Sequence, residues 1–383
     1  MLRNIRLLYI HNFLTDFRLH SAFLVIYLAQ ISGSYTSAMA ILALETVTSA
    51  VMDIPTGIFS DKIGRKYTLA LGSACAALAL ACYGLAHSIG LLLVAAPLHG
   101  LSMCLFNGNN DAMLYESLKA AGKENRFHHD QGRTSSMFQL ALGLSALCAS
   151  FLTNHGLRFL FIVGVIPQIL AVLVSLLMKE PRVHMHKGKD NLVHLKTALA
   201  KLARNPNLLL LVIGQAISWG AGESNFNFKL AFVNGLWPSW AVALFKASNH
   251  VLGFLSFWLA GPLIDRLKAA RLLMIAEAYI FLSQAVAVFM SNVFSPVLLA
   301  SGSGFFGLFM VSRDQLLQKH FSDEQRATMG SIASFTGSIV FACAAFGIGL
   351  IADHFGLAAG VGFGVSLSAL ALPIYIWLFR KNF

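Results

Sequence analysis

Charged residues are scarce in this chain. Of its 383 residues, only 12% are Asp, Glu, Lys or Arg, whereas 57% are hydrophobic. A water-soluble domain usually has about a quarter of its residues charged, so much of this surface must face something other than water. The deficit excludes an ordinary soluble globular protein and favours a protein embedded in a lipid bilayer.

The sequence also lacks the short motifs of common enzymes. It contains no HExxH, nucleophile elbow, Walker loop or CxxC pair, and its five cysteines lie in apolar stretches as small packing residues. No catalytic residue, metal site or cofactor is therefore predicted, and a membrane-embedded enzyme stays a remote alternative. The start of the chain has no A-x-A-like cleavage site, which favours a retained first span over a signal peptide.

Apolar runs of about 20 residues, the length needed to cross a bilayer, recur along the chain. These runs are continuous and do not alternate, so they indicate helices and not the strands of a barrel. We predict an all-α membrane protein with twelve transmembrane helices, at residues 9–31, 37–59, 68–88, 90–117, 133–154, 157–178, 208–233, 238–263, 272–292, 295–319, 328–353 and 356–379.

The basic residues predict the orientation. A net charge of +11 would suggest a nucleic-acid partner in a soluble protein, but most Lys and Arg here lie between the apolar runs. With both termini in the cytoplasm, all but four of the 28 fall on the cytoplasmic side or its helix ends, the exceptions being Arg18, Arg158, Lys229 and Lys246. The positive-inside rule therefore predicts cytoplasmic N and C termini and no nucleic-acid partner.

The longest polar stretch, 179–207, divides the chain into two sets of six spans. We predict an N-terminal six-helix bundle over 1–178, a cytoplasmic linker over 179–207 and a C-terminal six-helix bundle over 208–383. His184 and His186 in the linker could bind a metal, but two histidines in a basic linker are more often simply solvated.

A repeat supports the two bundles. Gly57 and Asp61 lie at the end of span two, and Gly261 and Asp265 lie at the end of span eight, 204 residues later in both cases. A duplicated six-helix unit explains this interval. We expect the glycines to let helices approach closely, the acids to join a cytoplasmic charge cluster, and Gly64 to permit a tight turn.

The loop that contains the first copy, Gly57-x-x-x-Asp61-Lys-x-Gly64-Arg65-Lys66, resembles the signature loop of the major facilitator superfamily, and residues 261–268 resemble its degraded second copy. Residues 45–57, with an acid before Pro-Thr-Gly, together with 107–118 and 326–331, are similar to a bacterial twelve-span branch. The resemblance implies two pseudo-symmetric six-helix bundles, a location in the bacterial inner membrane, and transport by alternating access.

Two features depart from the family pattern. Many members have Arg before a Gly early in span four, where this chain has His99 and Gly100. The span 133–154 lacks the Gly-Pro-rich motif of drug/proton antiporters. Both departures argue against a standard multidrug antiporter, and neither argues against the fold.

The resemblance also implies a cytoplasmic gate that favours the outward-facing state. In the family, the signature Asp, the Arg and an acid at the end of span four form it, which here implies Asp61, Arg65 and Glu116. The complete predicted gate motif comprises Gly57, Asp61, Gly64, Arg65, Lys66, Glu116, Gly261 and Asp265.

Polar residues inside the spans predict a shared cavity, because a charge at the bilayer centre costs roughly 2.5–3.5 kcal/mol on insertion scales. Asp16 and His20 should share a helix face, and Asn107 and Asp111 should stack at a spacing of four residues. The predicted cavity residues are Asp16, Arg18, His20, Glu45, Asn107, Asn110, Asp111, Glu223, Asn227, Lys229, Lys246, His250, Arg313 and Asp314.

An alternative reading assigns some of these charges to structural pairs that hold helices together. The pairs would be Asp16 with Arg18, Glu223 with Lys229, and Arg313 with Asp314.

Proton coupling needs a group whose protonation changes when the site opens to water. Asp16 and Glu45 are the first candidates for this group. The remaining candidates are Asp111, Glu223, His20 and His250.

The leading functional prediction is proton-coupled export of a small organic compound, such as a drug or a secreted metabolite. The alternative is import of a polar or anionic solute such as a siderophore, for which Arg18, Lys229, Lys246 and His250 would supply cationic contacts. A channel or a passive scaffold fits the repeat poorly. The expected partners are the solute, protons and the lipid bilayer, and a monomer suffices for this activity.

Overall fold

The computed structural model describes residues 2–181, 202, 205–318 and 323–379. Every regular element among these residues is an α-helix or a short 3-10 helix, which confirms the all-α prediction. The α-helices, named here in chain order, are α1 Leu2–Asp16, α2 Leu24–Ser32, α3 Tyr35–Ile63, α4 Arg65–Leu85, α5 Ile89–Phe106, α6 Asn109–Lys119, α7 Phe127–Leu152, α8 Leu157–Leu177, α9 Pro206–Leu236, α10 Ser239–Leu267, α11 Ala269–Met290, α12 Ser295–Gln318, α13 Asp323–Phe355, α14 Leu357–Ala369 and α15 Ala371–Phe379.

Ten helical segments among the described residues are long and apolar enough to cross a membrane. They correspond to ten of the twelve predicted spans, so the count of twelve is not confirmed in full. The first predicted span breaks into α1 and α2, which have 15 and 9 residues. The seventh corresponds to α9, which has 31 residues but contains Glu223, Lys229 and several amide side chains that reduce its hydropathy.

Two helix breaks change the predicted arrangement of polar residues. Helix α1 ends at Asp16, and His20 lies in a separate 3-10 turn. Helices α5 and α6 are separated at Asn107 and Gly108, and Gly108 has the positive φ of 69° that favours glycine. The expectations that Asp16 and His20 share one helix face, and that Asn107 stacks with Asp111 along one helix, are therefore wrong.

The chain forms two compact units. The first contains the described parts of Met1–Gly33, Leu44–His186 and Ser239–Ala247, and the second contains those of Ser34–Ala43, Lys187–Pro238 and Ser248–Phe383. The start of α3 therefore belongs to the second unit, and the start of α10 belongs to the first. The division at 179–207 stays a prediction, and His184 and His186 lie outside the described residues.

Each unit has its own apolar core. In the first unit, Leu8, Leu69 and Leu114 pack together from α1, α4 and α6. In the second unit, Leu273 and Tyr375 belong to a cluster formed by side chains of α9 to α12 and α15. Because lipid tails are as apolar as these side chains, the stabilisation comes mainly from close van der Waals packing. This packing fixes where the polar side chains of each unit meet.

Candidate functional site

A polar cavity of about 310 Å³ lies within the first unit. It forms where two helices are interrupted, at the end of α1 and at the break between α5 and α6. Non-helical backbone at membrane depth is tolerated where it lines a cavity, because water or a solute can satisfy its polar groups. The lining residues are Asn12, Thr15, Asp16, Arg18, Met103, Phe106, Asn107, Gly108, Asn110, Asp111, Thr134 and Phe138.

The structure brings five of the predicted cavity residues together in this wall. Asp16 and Arg18 form an ion pair of 2.8 Å between Oδ1 and Nη2, so the pairing that the structural reading expected is present, but inside the cavity. Asp111 accepts a 3.3 Å hydrogen bond from Gln131. Asn107 and Asn110 line the same space. The wall thus combines carboxylates, a guanidinium and amides with two phenylalanine rings.

Glu45 does not line this cavity and instead pairs with a histidine. Its Oε1 atom lies 2.6 Å from Nδ1 of His99, and its Oε2 atom accepts a 3.4 Å hydrogen bond from the Tyr83 hydroxyl. Glu45 is 6% exposed and His99 is 9% exposed. Gly100 allows this approach of α3 and α5, because a Cβ atom there would overlap the backbone carbonyl of Glu45. The structure therefore contains a buried carboxylate–imidazole pair.

His99 was missed as a site residue by the sequence prediction. In the sequence, His99 stands out only as a departure from the family pattern, because His occupies a position where many members have Arg. The available signal was a titratable residue next to a glycine inside a strongly apolar span. His20, which was predicted, lies beside it with a distance of 6.1 Å between ring centroids.

A second and much smaller cavity lies between the polar cavity and the Glu45–His99 pair. Its lining includes His20, His99, Ser102 and Gln168, and its volume is about 10 Å³. Thr15 is one of the residues that line both cavities. The two spaces are therefore adjacent in the first unit.

The remaining predicted cavity residues do not line these two cavities. Lys246, in the first unit, is buried and donates a 2.7 Å hydrogen bond to the carbonyl of Ser21. The second unit holds the others, where Asn227 donates to Glu223 over 3.1 Å and His250 is partly buried on α10.

Two cations of the second unit contact aromatic rings. Lys229 lies 4.5 Å from the ring centroid of Phe226. Arg313 forms a 2.8 Å ion pair with Asp314 and lies over the ring of Phe309.

A charge cluster surrounds Arg65 at the start of α4. Its Nη2 atom lies 2.9 Å from Asp61, and its Nε atom lies 3.5 Å from Glu116. Its Nη1 atom donates to Ser60 and Asn109 over 2.8 and 3.0 Å. The three residues of the predicted gate, Asp61, Arg65 and Glu116, are thus in direct contact.

Glu180 joins this cluster and was not predicted. It accepts hydrogen bonds of 2.7 and 2.8 Å from the backbone N–H groups of Arg65 and Lys66, and so caps the N-terminus of α4. Gly64 has a φ of 104°, as a tight turn requires, and an added Cβ atom there would overlap the Glu180 carboxyl group.

The expectation for the repeated glycines is wrong. A Cβ atom added to Gly57 or to Gly261 would meet no atom within 4 Å among the described residues, so neither glycine is needed for close helix contact in this conformation. Asp265 is exposed near the end of α10, where Lys268 has a positive φ of 66°.

A family model described as Major Facilitator Superfamily matches residues 12–342. A comparison with curated protein sequences found no match.

Several solved transporters have a similar fold. A mutant of the nucleoside transporter NupG is 16% identical, with a TM-score of 0.82 over 98% of this chain and 99% of that one. A bacterial homologue of the human lysosomal transporter Spinster, inward-facing and unoccupied, is 16% identical, with a TM-score of 0.77 over 98% and 96%. A D-xylose–proton symporter is 13% identical, with a TM-score of 0.73 over 97% and 95%. At these identities the likeness shows the fold.

Proposed function

Because this chain belongs to the major facilitator superfamily and is a multi-pass membrane transporter and not an enzyme, we propose that it couples transport of a small hydrogen-bonding organic solute to movement of protons. The observation that carries this proposal is the buried pair of Glu45 and His99 beside a polar cavity. We assign the exchangeable proton to this pair and the solute to the cavity.

The pair is suited to hold a proton inside a membrane. An isolated ionised carboxylate is costly in a site of low polarity, and an imidazole 2.6 Å away offsets that cost when it carries a proton and hence a positive charge. The Tyr83 hydroxyl gives the carboxylate a second partner. A conformational change that exposes this pair to water on one side would let it exchange its proton with that side.

The cavity supports a solute that is uncharged, zwitterionic or cationic, because the Asp111 carboxylate lines it together with the Asp16–Arg18 pair. Asn12, Asn107 and Asn110 present amides that both donate and accept hydrogen bonds. The Asp16–Arg18 pair can receive opposite charges without leaving a net charge unpaired. Phe106 and Phe138 can pack against a ring, and about 310 Å³ falls in the size range of small-molecule sites.

Two observations bear on the direction of transport, and they favour opposite directions. The motifs that resemble the bacterial branch favour export, which we retain as the first proposal. Import is the alternative, and the proton symport named for the D-xylose neighbour favours it. We also propose that both termini lie in the cytoplasm, which the distribution of the basic residues supports. The resemblance to the bacterial branch supports a location in the bacterial inner membrane, and we propose a monomer because one copy suffices for a carrier of this family.

The cluster of Asp61, Arg65 and Glu116 is proposed as the cytoplasmic gate. Its contacts join the end of α3 to the ends of α4 and α6 in this conformation. Opening or closing this side of the first unit would rearrange these ion pairs. This rearrangement would be a conformational step of transport in which the solute makes no contact with the cluster.

Flux measurements in proteoliposomes test the proposal. Radiolabelled uridine, D-xylose and a dipeptide serve as probes, each with and without an imposed pH gradient and in both directions. We expect at least one probe to accumulate against its gradient only when a pH gradient is present. Gradient-independent flux of every transported probe, with wild-type protein, would show that transport is not proton-coupled.

Glu45→Gln separates proton coupling from solute exchange. We expect gradient-driven flux to fall by at least about tenfold, because the amide cannot carry the proton, while exchange of labelled for unlabelled solute is retained. Glu124→Gln, which changes an exposed carboxylate outside the site, is the matched control. Unchanged gradient dependence in Glu45→Gln would exclude Glu45 as the coupling acid.

A further inference from the structure

We propose that His20 and Gln168 bind one buried water molecule, and that this water carries protons between the polar cavity and the Glu45–His99 pair. The inference rests on the proposed proton coupling and adds the route by which the proton reaches the pair. His20 and Gln168 are positioning residues in this route, since they hold the water and do not contact Glu45.

The size of the small cavity fits a single water. Its volume of about 10 Å³ is close to the space that one water molecule needs inside a protein. Ser102, Gln168 and the two histidines give it several polar walls. An apolar cavity of this size would stay dry, whereas a polar one with two to four hydrogen-bonding partners holds water.

Beside the small cavity, two buried polar atoms have neither a hydrogen bond nor an ion-pair contact among the described residues. They are Nδ1 of His20 and Oε1 of Gln168, and both side chains are 3% exposed. The amide nitrogen of Gln168 already donates to the carbonyl of Thr15 over 3.2 Å, which fixes its oxygen as an acceptor. Since buried polar groups in native proteins almost always have a partner, these two atoms point to a bound water.

The water would connect the two parts of the site. Thr15, Arg18, Met103 and Phe106 line both cavities, so the small one lies against the wall of the large one. On the other side, His99 lines the small cavity and places Nδ1 2.6 Å from Oε1 of Glu45. A proton taken up by one ring nitrogen of His99 and released from the other reaches the carboxylate with no net change in the charge of the ring.

The charges around His20 favour passage of the proton over its retention. The charged and titratable groups that face His20 are His99, Arg18 and Lys246, and the ring of Phe161 packs beside it at 5.1 Å. All three groups are cationic when charged, so they repel an additional charge on His20. A proton in this site therefore moves on to the pair that contains the carboxylate.

Infrared spectroscopy of the purified protein in lipid tests the route without any solute. If the pair exchanges a proton as proposed, a pH jump will change the carboxyl C=O band of Glu45, which is assigned by its loss in Glu45→Gln. We expect the rate of this change to fall by at least about tenfold in both His20→Phe and Gln168→Leu, because each removes a partner of the water. His20→Asn, which keeps a hydrogen-bonding group, should restore part of the rate.

The control is His155→Phe, which replaces an exposed histidine of the same unit that lines neither cavity. Its rate should equal that of the wild type. Wild-type rates in both His20→Phe and Gln168→Leu would overturn the water route and leave the proposed function intact. A wild-type protein whose Glu45 band does not respond to pH would overturn the proposed proton site and this inference together.

Discussion

Replacing Asp353 with alanine is expected to loosen the start of α3. The Asp353 carboxylate, near the end of α13, accepts hydrogen bonds of 2.8 Å from the backbone N–H groups of Tyr35 and Thr36. It also accepts a 2.6 Å bond from the Thr36 hydroxyl. An acidic side chain from a distant part of the sequence therefore caps the N-terminus of this helix.

The size of the effect follows from these bonds. A cap at a helix N-terminus contributes about 0.5–2 kcal/mol, and solvent screening at the exposed Asp353 keeps the value within that range. A loss of about 1.4 kcal/mol corresponds to a roughly tenfold larger equilibrium constant for local opening. Amide hydrogen exchange of the peptide that contains Tyr35 and Thr36 should therefore accelerate about tenfold in Asp353→Ala.

Hydrogen exchange followed by mass spectrometry in lipid nanodiscs measures the exchange rate at Tyr35 and Thr36 directly. His354→Ala, at the next position, is the matched control, since its side chain makes none of the three bonds. Exchange at Tyr35 and Thr36 should be the same in this control as in the wild type. An acceleration in Asp353→Ala of less than about twofold would refute the reasoning that these bonds hold the helix start.

Three further predictions follow from the first unit. Gly100→Ala should lower the thermal unfolding midpoint in detergent, because overpacking costs about 1–3 kcal/mol and the new Cβ would overlap the carbonyl of Glu45. Gly143→Ala should leave the midpoint unchanged, because a Cβ there meets no atom of the described residues within 4 Å, and equal midpoints in the two variants would contradict the prediction. Asp61→Asn should abolish probe flux while retaining the probe-induced thermal shift, because it weakens the gate and not the cavity; normal turnover would count against the gate. Glu180→Gln should accelerate amide hydrogen exchange several-fold at Arg65 and Lys66, because the helix cap contributes about 1 kcal/mol. Unchanged exchange at these two residues would disprove the cap.

The spans were predictable because their signal is strong and local. Long continuous apolar runs specify helices in a membrane almost regardless of their neighbours, and ten of the twelve predicted spans have such a helix among the described residues. The failure at the first span has a physical cause. Its continuity was inferred from hydropathy, which does not register the interruption between Asp16 and His20.

The candidate site was predictable in composition but not in arrangement. Polar side chains inside a membrane span carry a free-energy cost, so they are expected to have a function. This cost is the reason that the sequence predicts Asp16, Asn107 and Asp111 as cavity residues. These side chains line one cavity wall because the helix breaks at Gly108. A prediction that assumes one continuous helix, with side chains stacked four residues apart, does not include this break. The sequence also does not reveal His99 as the partner of Glu45, because the two residues come together only through the close packing of α3 and α5 at Gly100.

The cap on α3 has a consequence for how the chain is made. Asp353 follows Thr36 by 317 residues, so the ribosome releases the start of α3 long before its cap exists. During synthesis the N–H groups of this helix start must be satisfied by water or by lipid headgroups. A nascent chain truncated before α13 would therefore have an α3 whose first N–H groups lack their side-chain acceptor.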